Sequence, residues 1–405
     1  MPGAEPGLHY NRATVTSRRL ALIPPRYGPH VVGGAELLIR ELAHGLADRG
    51  WEVEVLTTCA NDHYTWDNVH PAGVELDGKV TIRRFPVVKD TSGEMRHRVE
   101  QLLQQGQHPS LPEQELWMND GLRVPELFHH LLDEAEQYRA IIPAPYLFWT
   151  TFVGGQVAPD RTILMPCLHD EAYARLELFE PLFNGVSGLW FLTEPEAQLA
   201  AELFDIPRST VIGSGCEIPE RYDPEGFRQR HGITGRFVLA GGRREGAKGW
   251  DGLMEGFTRV VRDGVDLSLV TFGVGEVHPD PDVADRIFDL GFLSDADLSD
   301  AYAAADAYLQ PSVMESFSRT VMEAWLAGTL VVANGGSAVV RWHCERSGAG
   351  LVYDDEFEFD QCLRFVADAP DLAAEVAAPG RRYVLDNYTW PVTLDRVEAS
   401  LEAWH

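Results

Sequence analysis

AYLQPSVMESFSRTVMEAWLAG (307–328) is the stretch on which the reading of this chain turns. A short apolar run, AYLQP (307–311), leads into a loop, SVME (312–315), and then into an amphipathic stretch, TVMEAWLAG (320–328), that stops at Gly328. Strand, loop and helix in that order form the repeating unit of a parallel sheet, whose strands are joined by crossover helices. The helix is expected to begin near Ser316–Ser318, either of which is a residue type that caps helices. That start decides what two glutamates, Glu315 and Glu323, have to do with each other. On one continuous helix, eight steps of about 100° leave two side chains roughly 80° apart, so the pair would not share a face. With the helix starting between them, Glu315 lies in the loop and Glu323 about two turns inside. Phe317 and the free amides of Ser318, Arg319 and Thr320 then lie between the two carboxylates. Helix N-termini attract anions, so the stretch offers a phosphate seat with an acid on each side. It suits a sugar–diphosphate–nucleoside, with one acid for sugar hydroxyls, amides for phosphate and one acid for the ribose. The plainer alternative is a helix with an ordinary acidic first turn.

The same alternation extends in both directions. Toward the N-terminus the apolar runs are LALIP (20–24), VEVLTT (53–58), VTIRRF (80–85), TILMPCL (162–168), GLWFLT (188–193) and TVIG (210–213). In the second half they are FVLAGG (237–242), LSLVTFG (267–273), AYLQP and TLVVAN (329–334). The stretch GAELLIRELAHGLADR (34–49) places Leu38, Leu42 and Leu46 one turn apart, as a helix covering a sheet requires. Two sets of alternating strands and helices predict an α/β chain with two Rossmann-like parallel-sheet domains. The charged, Pro/Gly-punctuated segment 217–235 reads as the seam between them. The expected units are residues 1–216, with a helical insertion at about 93–135, and 217–385.

A chain of 405 residues is too long for one core. Apolar residues at 45% and aromatics at 10% suit packed globular domains. A formal net charge of −28 repels nucleic acid and anionic membranes. Five scattered cysteines without CxxC spacing argue against a zinc site or disulfide framework and for a reducing cytoplasm. The first eighteen residues lack the apolar region of a signal peptide. Nor does any run approach the roughly 18 apolar residues of a membrane span.

In parallel sheets, ligands bind at the carboxyl ends of strands. Besides 312–320, two such places stand out. In YGPHVVGGAELL (27–38), Gly33 and Gly34 sit at a helix entry, where amides favour an anion; a plain Gly-rich connector is the alternative. The stretch lacks the GxGxxG spacing of a dinucleotide-binding dehydrogenase. GGRREGAKGW (241–250) approaches a P-loop, but Ala247 stands where the lysine belongs and no Ser or Thr follows Lys248. Its Arg243 and Lys248 make a diphosphate clamp, unless the turn is simply solvated.

These three motifs, in this order, resemble the large retaining family 4 glycosyltransferases that carry E-x7-E. The likeness is densest over LGFLSDADLSDAYAAADAYLQPSVMESFSRTVMEAWLAGTLVVANGG (290–336) and extends back through GGRREGAKG to HVVGGAELLIRELAHGLADRGWEVEVLTT. The resemblance implies a GT-B fold: two Rossmann-like domains, acceptor-side and then donor, facing a central cleft. A C-terminal helix (386–405) crosses back to the first domain. It implies that Glu315 contacts the transferred sugar and Glu323 the ribose, that Arg243 and Lys248 hold the diphosphate, and that Gly33 and Gly34 close over it. His169, in LHDEAY (168–173), takes the place of a histidine facing the sugar; a buried structural histidine is its alternative. The chain departs from the family where Ser316 and Ser318 replace glycines, and where SAVVRWHCERSGAG (337–350) replaces a Pro-Glu.

The expected activity is metal-independent, cytoplasmic, retaining transfer of a sugar from a nucleotide-diphosphate sugar, with no bound cofactor. The acceptor would be a sugar, a natural product or an oligosaccharide. A GT-B phosphorylase or sugar-nucleotide hydrolase and a catalytically inactive sugar-nucleotide-binding partner are the alternatives. Peripheral membrane association through a local basic patch stays compatible with the composition.

Overall fold

Parallel strands bury both faces and are therefore written as continuous apolar runs. β1 (Arg19–Ile23), β2 (Glu52–Thr58), β3 (Gly73–Asp77), β4 (Val80–Phe85) and β5 (Ala140–Pro143) make one sheet in the order β3-β4-β2-β1-β5. Only β3 runs antiparallel to its neighbour. β6 (Ile163–Leu164), β7 (Gly188–Phe191) and β8 (Ser209–Val211) form a short parallel sheet. One parallel bridge, Ile141 to Thr162, joins it to β5. The second half of the chain builds a six-stranded parallel sheet in the order β11-β10-β9-β12-β13-β14. Its strands are β9 (Phe237–Arg243), β10 (Ser268–Val274), β11 (Ile287–Asp289), β12 (Ala307–Gln310), β13 (Leu330–Asn334) and β14 (Leu351–Tyr353). This computed structural model describes residues 18–31, 33–244 and 248–404. The absence of a signal peptide, read from the first eighteen residues, and Gly246–Ala247 of the Gly-rich turn lie outside the described residues, save Arg18.

The helix Gly34–Asp48 covers the first sheet with Leu38, Leu42 and Leu46, each no more than 2% exposed. Helices Glu94–Gln104, Leu111–Asn119 and Pro125–Glu134 occupy the inserted segment. No helix among the described residues is long and apolar enough to cross a membrane.

Two expectations need correction. The run 162–168 is a strand only at Ile163–Leu164. Pro166 cannot donate to a sheet ladder, and Cys167 takes a left-handed backbone with φ 50, so pairing stops there. The strand β3 was not foreseen, because an exposed edge shows no apolar run: Val74 and Leu76 are 56% and 73% exposed.

One buried cluster runs from Leu22 and Leu42 through Trp190, Val397 and Leu401 to Phe317 and Trp325, so apolar packing spans both halves. The last helix, Trp390–Trp404, lies against the helix Gly34–Asp48 of the first half. Arg49 holds Asp395 and Glu398 at 2.7 Å each, and Trp190 Nε1 donates to Ser400 Oγ at 2.8 Å. Glycines receive its bulky side chains. A β-carbon at Gly188 would strike the Trp404 ring, one at Gly215 the Trp390 ring, and one at Gly45 the Leu394 side chain.

The packing of this helix predicts that Leu401→Ala, which empties a fully buried site, lowers unfolding free energy in urea by about 2–5 kcal/mol. Glu402→Ala, at an exposed position on the same turn, is the control and should change stability by no more than about 0.5 kcal/mol.

Candidate functional site

The carboxyl ends of β9 and β12 place the Gly-rich turn beside the 312–318 loop. Gly249, at φ +72, lets the two backbones touch, since a β-carbon there would collide with the Pro311 carbonyl. The close approach seats Lys248. Its Nζ donates to Glu315 Oε1 at 2.9 Å, to the Met314 carbonyl at 3.1 Å and to Ser312 Oγ at 3.3 Å. Two of the expected site residues therefore form one ion pair, with side chains 29% and 17% exposed.

His169 faces this pair from the first half of the chain. Burial holds its imidazole below the ordinary histidine value; Glu315 opposes that shift and Lys248 adds to it. The ring also lies 3.9 Å from Glu171, whose carboxylate accepts from Tyr146 Oη at 2.8 Å. The two halves meet again where Thr193 Oγ1 donates to the Ser316 carbonyl at 3.1 Å.

The helix of the 307–328 stretch runs Arg319–Ala327, three residues later than its earliest expected start, so Glu323 sits one turn inside. Ser318 occupies the N-cap position but does not cap with its side chain. Its φ of 67 is the left-handed conformation in which glycine is at ease, and its hydroxyl is held by Gln310 Nε2. The expectation that a serine hydroxyl caps this helix is thus corrected, and the first amides of the helix, at Arg319 and Thr320, start from a strained turn. Phe317 is 3% exposed and packs edge-on against His343 and Tyr388, which leaves its backbone as the part that borders the loop.

Glu323 turns to different neighbours from Glu315. Its Oε2 accepts from Tyr302 Oη at 3.2 Å. Burial raises its carboxyl above the usual range against the pull of Arg319 and Tyr302. Arg319 itself reaches across the interface to Glu41 on the helix Gly34–Asp48 and to the Gly215 carbonyl at 3.4 Å. Burial disfavours its charge, yet Glu41 keeps its pKa raised.

Gly33 and Gly34 flank the start of the helix Gly34–Asp48. The space a β-carbon would need at Gly33 is filled by the Glu36 carboxylate, which pairs with Arg26; both are less than 9% exposed. Gly34 has open space around the same point. Arg243, exposed at the end of β9, lies near His63 of the first half. Burial holds that imidazole low, and Arg26 and Arg243 lower it further. Two Asp-x-Asp triplets, the pattern by which acids can hold a metal, are Asp280-Pro281-Asp282 and Asp295-Ala296-Asp297; Asp280 and Asp282 pair with Arg262, and Asp297 with Arg230.

Sequence reading missed Glu41, Arg26, Glu36, His63, Thr193 and Gln310. Glu36 sits inside the 27–38 motif, Glu41 on the same helix, and Gln310 inside the 307–328 stretch, yet nothing in a linear sequence links Glu41 to Arg319.

Residues 235–368 match the family model described as glycosyl transferases group 1. The chain is 31% identical over 148 residues to mannosylfructose-phosphate synthase of Agrobacterium fabrum, covering 29% of this chain and spanning only 32% of that protein's length. It is 25% identical over 440 residues to the D-inositol 3-phosphate glycosyltransferase of Pseudarthrobacter chlorophenolicus, covering 96% and 95% of the two chains. The structure of sucrose-phosphate synthase from Thermosynechococcus elongatus superposes with TM-score 0.71 at 18% identity, over 95% of this chain and 98% of that one. The architecture is GT-B, and the match to the group 1 glycosyltransferase model is confined to residues 235–368.

The environment of Phe317 makes a pH prediction. His343 donates or accepts through Nδ1 with Tyr383 Oη at 2.9 Å, and burial pushes its pKa down to about 3. The unfolded value is about 6.5. Between the two the unfolded chain holds the extra proton, so this group's share of stability is present above about pH 6.5 and is lost as pH falls, by roughly 1.4 kcal/mol per unit. Urea unfolding from about pH 7 to about pH 4.5 should show that slope reduced in His343→Gln; equal slopes in the two proteins would contradict it.

Proposed function

We propose that this chain is a retaining glycosyltransferase that moves a sugar from a nucleotide-diphosphate sugar to an acceptor hydroxyl in the cleft between its two halves. The observation that carries the reading is the Lys248–Glu315 pair, at the carboxyl ends of β9 and β12, facing His169 beyond the end of β6. Beside it lie the amides that open the helix Arg319–Ala327, a seat for phosphate. The group 1 match over 235–368 supports the same assignment, with 217–385 as the donor domain and the first half as the acceptor side.

In this reading Lys248 leaves part of its contact with Glu315 to meet the diphosphate. Glu315 turns its freed acceptor capacity to the sugar hydroxyls, and His169 borders the sugar from the opposite wall. Glu323 and its partner Tyr302 hold the ribose, while Arg243 reaches the diphosphate from the end of β9. The bond from the anomeric carbon to the diphosphate oxygen breaks on the face that the acceptor oxygen attacks, and that leaving oxygen takes the acceptor's proton. Negative charge grows on the diphosphate as the bond breaks, so a fixed cation stabilises the transition state more than the ground state. Lys248 and Arg243 then take the place of a metal ion, and the triplet acids stay with Arg262 and Arg230. We place the reaction in the cytoplasm, with a sugar, natural product or oligosaccharide as acceptor.

A thermal-shift panel of UDP-, GDP- and ADP-sugars tests the reading directly. A true donor at a hundredfold its Kd should add about 2.7 kcal/mol of stability, and no shift with any of them would sink the proposal. With the donor found, Lys248→Ala should lower kcat/KM by about 100-fold, comparable to losing one oxyanion donor. Turnover should persist in excess EDTA; loss on chelation with recovery on adding magnesium would remove the cationic clamp from the mechanism. Glu323→Ala should weaken nucleotide binding by roughly 1.5–3 kcal/mol, the range for hydrogen bonds to a charged group, and equal wild-type affinity for ribo- and dideoxy-nucleotides would contradict its role.

A further inference from the structure

The segment that carries His169 is not held by sheet pairing. Beyond β6 the chain bends toward the first sheet, with Met165 N donating to the Pro143 carbonyl at 3.1 Å and Tyr146 N donating to the Pro166 carbonyl at 3.0 Å. Cys167 then turns left-handed at φ 50 while buried to 7% exposure. For a residue with a β-carbon such a turn costs about 1–3 kcal/mol and persists only where its surroundings enforce it. The next amide, Leu168 N, donates to Glu196 Oε1 at 2.7 Å.

Glu196 belongs to the helix Glu194–Leu203 and is 1% exposed. Its other oxygen, Oε2, accepts from Leu192 N at 2.6 Å, just past the end of β7. Among the described residues it has no cationic partner. Burial pushes this carboxyl up to about 8, against the pull of the backbone amides from two neighbouring segments that donate to its oxygens. The residues that follow those amides are His169 and Thr193. His169 faces the Glu315–Lys248 pair, and Thr193 donates to the Ser316 carbonyl in the opposite half. One buried carboxyl group therefore ties down two points at which the first half reaches the 312–318 loop.

We propose that Glu196 is a positioning residue of the transfer site, clamping the ends of β6 and β7 through Leu168 N and Leu192 N so that the strained Cys167 turn aims His169 at Glu315 and Lys248. The inference rests on the function proposed above for that site. Glutamine at this position keeps the shape but presents an amide N–H to one of the two backbone N–H groups, so one arm of the clamp is lost.

Two measurements on Glu196→Gln test it. The first is titration of the His169 ring by NMR in the nucleotide-free protein. Glu315, Lys248 and Glu171 are the charged groups around that ring. The wild-type imidazole is expected to titrate below the ordinary value, and the variant's to move back toward it as the ring leaves its place. An unchanged titration overturns the proposal. The second is a double-mutant cycle in kcat. Glu196→Gln should lower kcat by up to about 100-fold, the cost of an ångström-scale misplacement, while affinity for the free nucleotide stays within about twofold. In a His169→Ala background the same change should cost much less than in the wild type, because the group it aims is gone and only the Thr193 contact remains to be disturbed. Losses that simply add overturn the proposal and leave Glu196 a structural residue. If Glu196→Gln does not fold, Glu196→Asp carries both measurements, since it keeps two acceptors and draws them back by one methylene. A wild-type protein that turns over no nucleotide sugar defeats the proposed function, and the titration still judges the clamp on its own.

Discussion

Strands that run parallel all end at the same edge of their sheet. Among the described residues every strand but β3 obeys that constraint, and the placing of the candidate site follows from it. The loop after β1 enters the helix at Gly34, and the loop after β9 carries Lys248. The one after β12 carries Glu315 and opens the helix at Arg319, and the irregular stretch after β6 carries His169. Residues far apart in sequence converge because each occupies the same place in a strand–helix unit. Helix starts also bring unpaired amides to that edge, which makes a phosphate seat a by-product of the topology.

Charge at this edge is arranged in pairs. In a chain with a formal charge of −28, three cations near the cleft are matched by carboxylates: Lys248 by Glu315, Arg319 by Glu41, Arg26 by Glu36. A buried or half-buried cation left single would be costly, and its partner lowers that cost. Binding an anion at Lys248 is therefore an exchange of one negative partner for another. In the reaction proposed above, the acid set free by that exchange is Glu315, which then meets the sugar hydroxyls. Arg319 differs, because its partner lies in the other half and its bond ties the two halves together beside the helix start.

Much of the fold was legible because burial writes itself into composition. β2, β9 and β12 are apolar runs since they are covered on both faces, and Leu38, Leu42 and Leu46 betray the helix that covers them. What escaped were features set by single atoms or by distant partners. Pro166 and Cys167 end β6 early although the run reads as one strand to Leu168. Ser318 has the composition of a capping residue, but its backbone is left-handed and its hydroxyl goes to Gln310. Gly33 reads as a helix entry whose amides favour an anion, and the carboxylate lying against its α-carbon is the protein's own Glu36. The convergence of Glu315 with Lys248 was implied by the order of motifs, whereas the reach of Arg319 to Glu41 had no local signal at all.

The glycines beneath the last helix bear on how this chain can change over generations. Ordinary helix packing tolerates drift, because one aliphatic side chain gives way to another of nearly the same volume. A ring lying against a bare α-carbon has no such neighbours in sequence space. At Gly188 and Gly215 the smallest possible substitution already puts a methyl group into an indole, and no retreat of a flexible side chain relieves it. The helix Trp390–Trp404 is therefore joined to the rest of the protein at points that accept one residue only. Lineages that loosen this joint have to replace the tryptophan and its glycine together, so the tail and its seat are expected to be inherited as a unit.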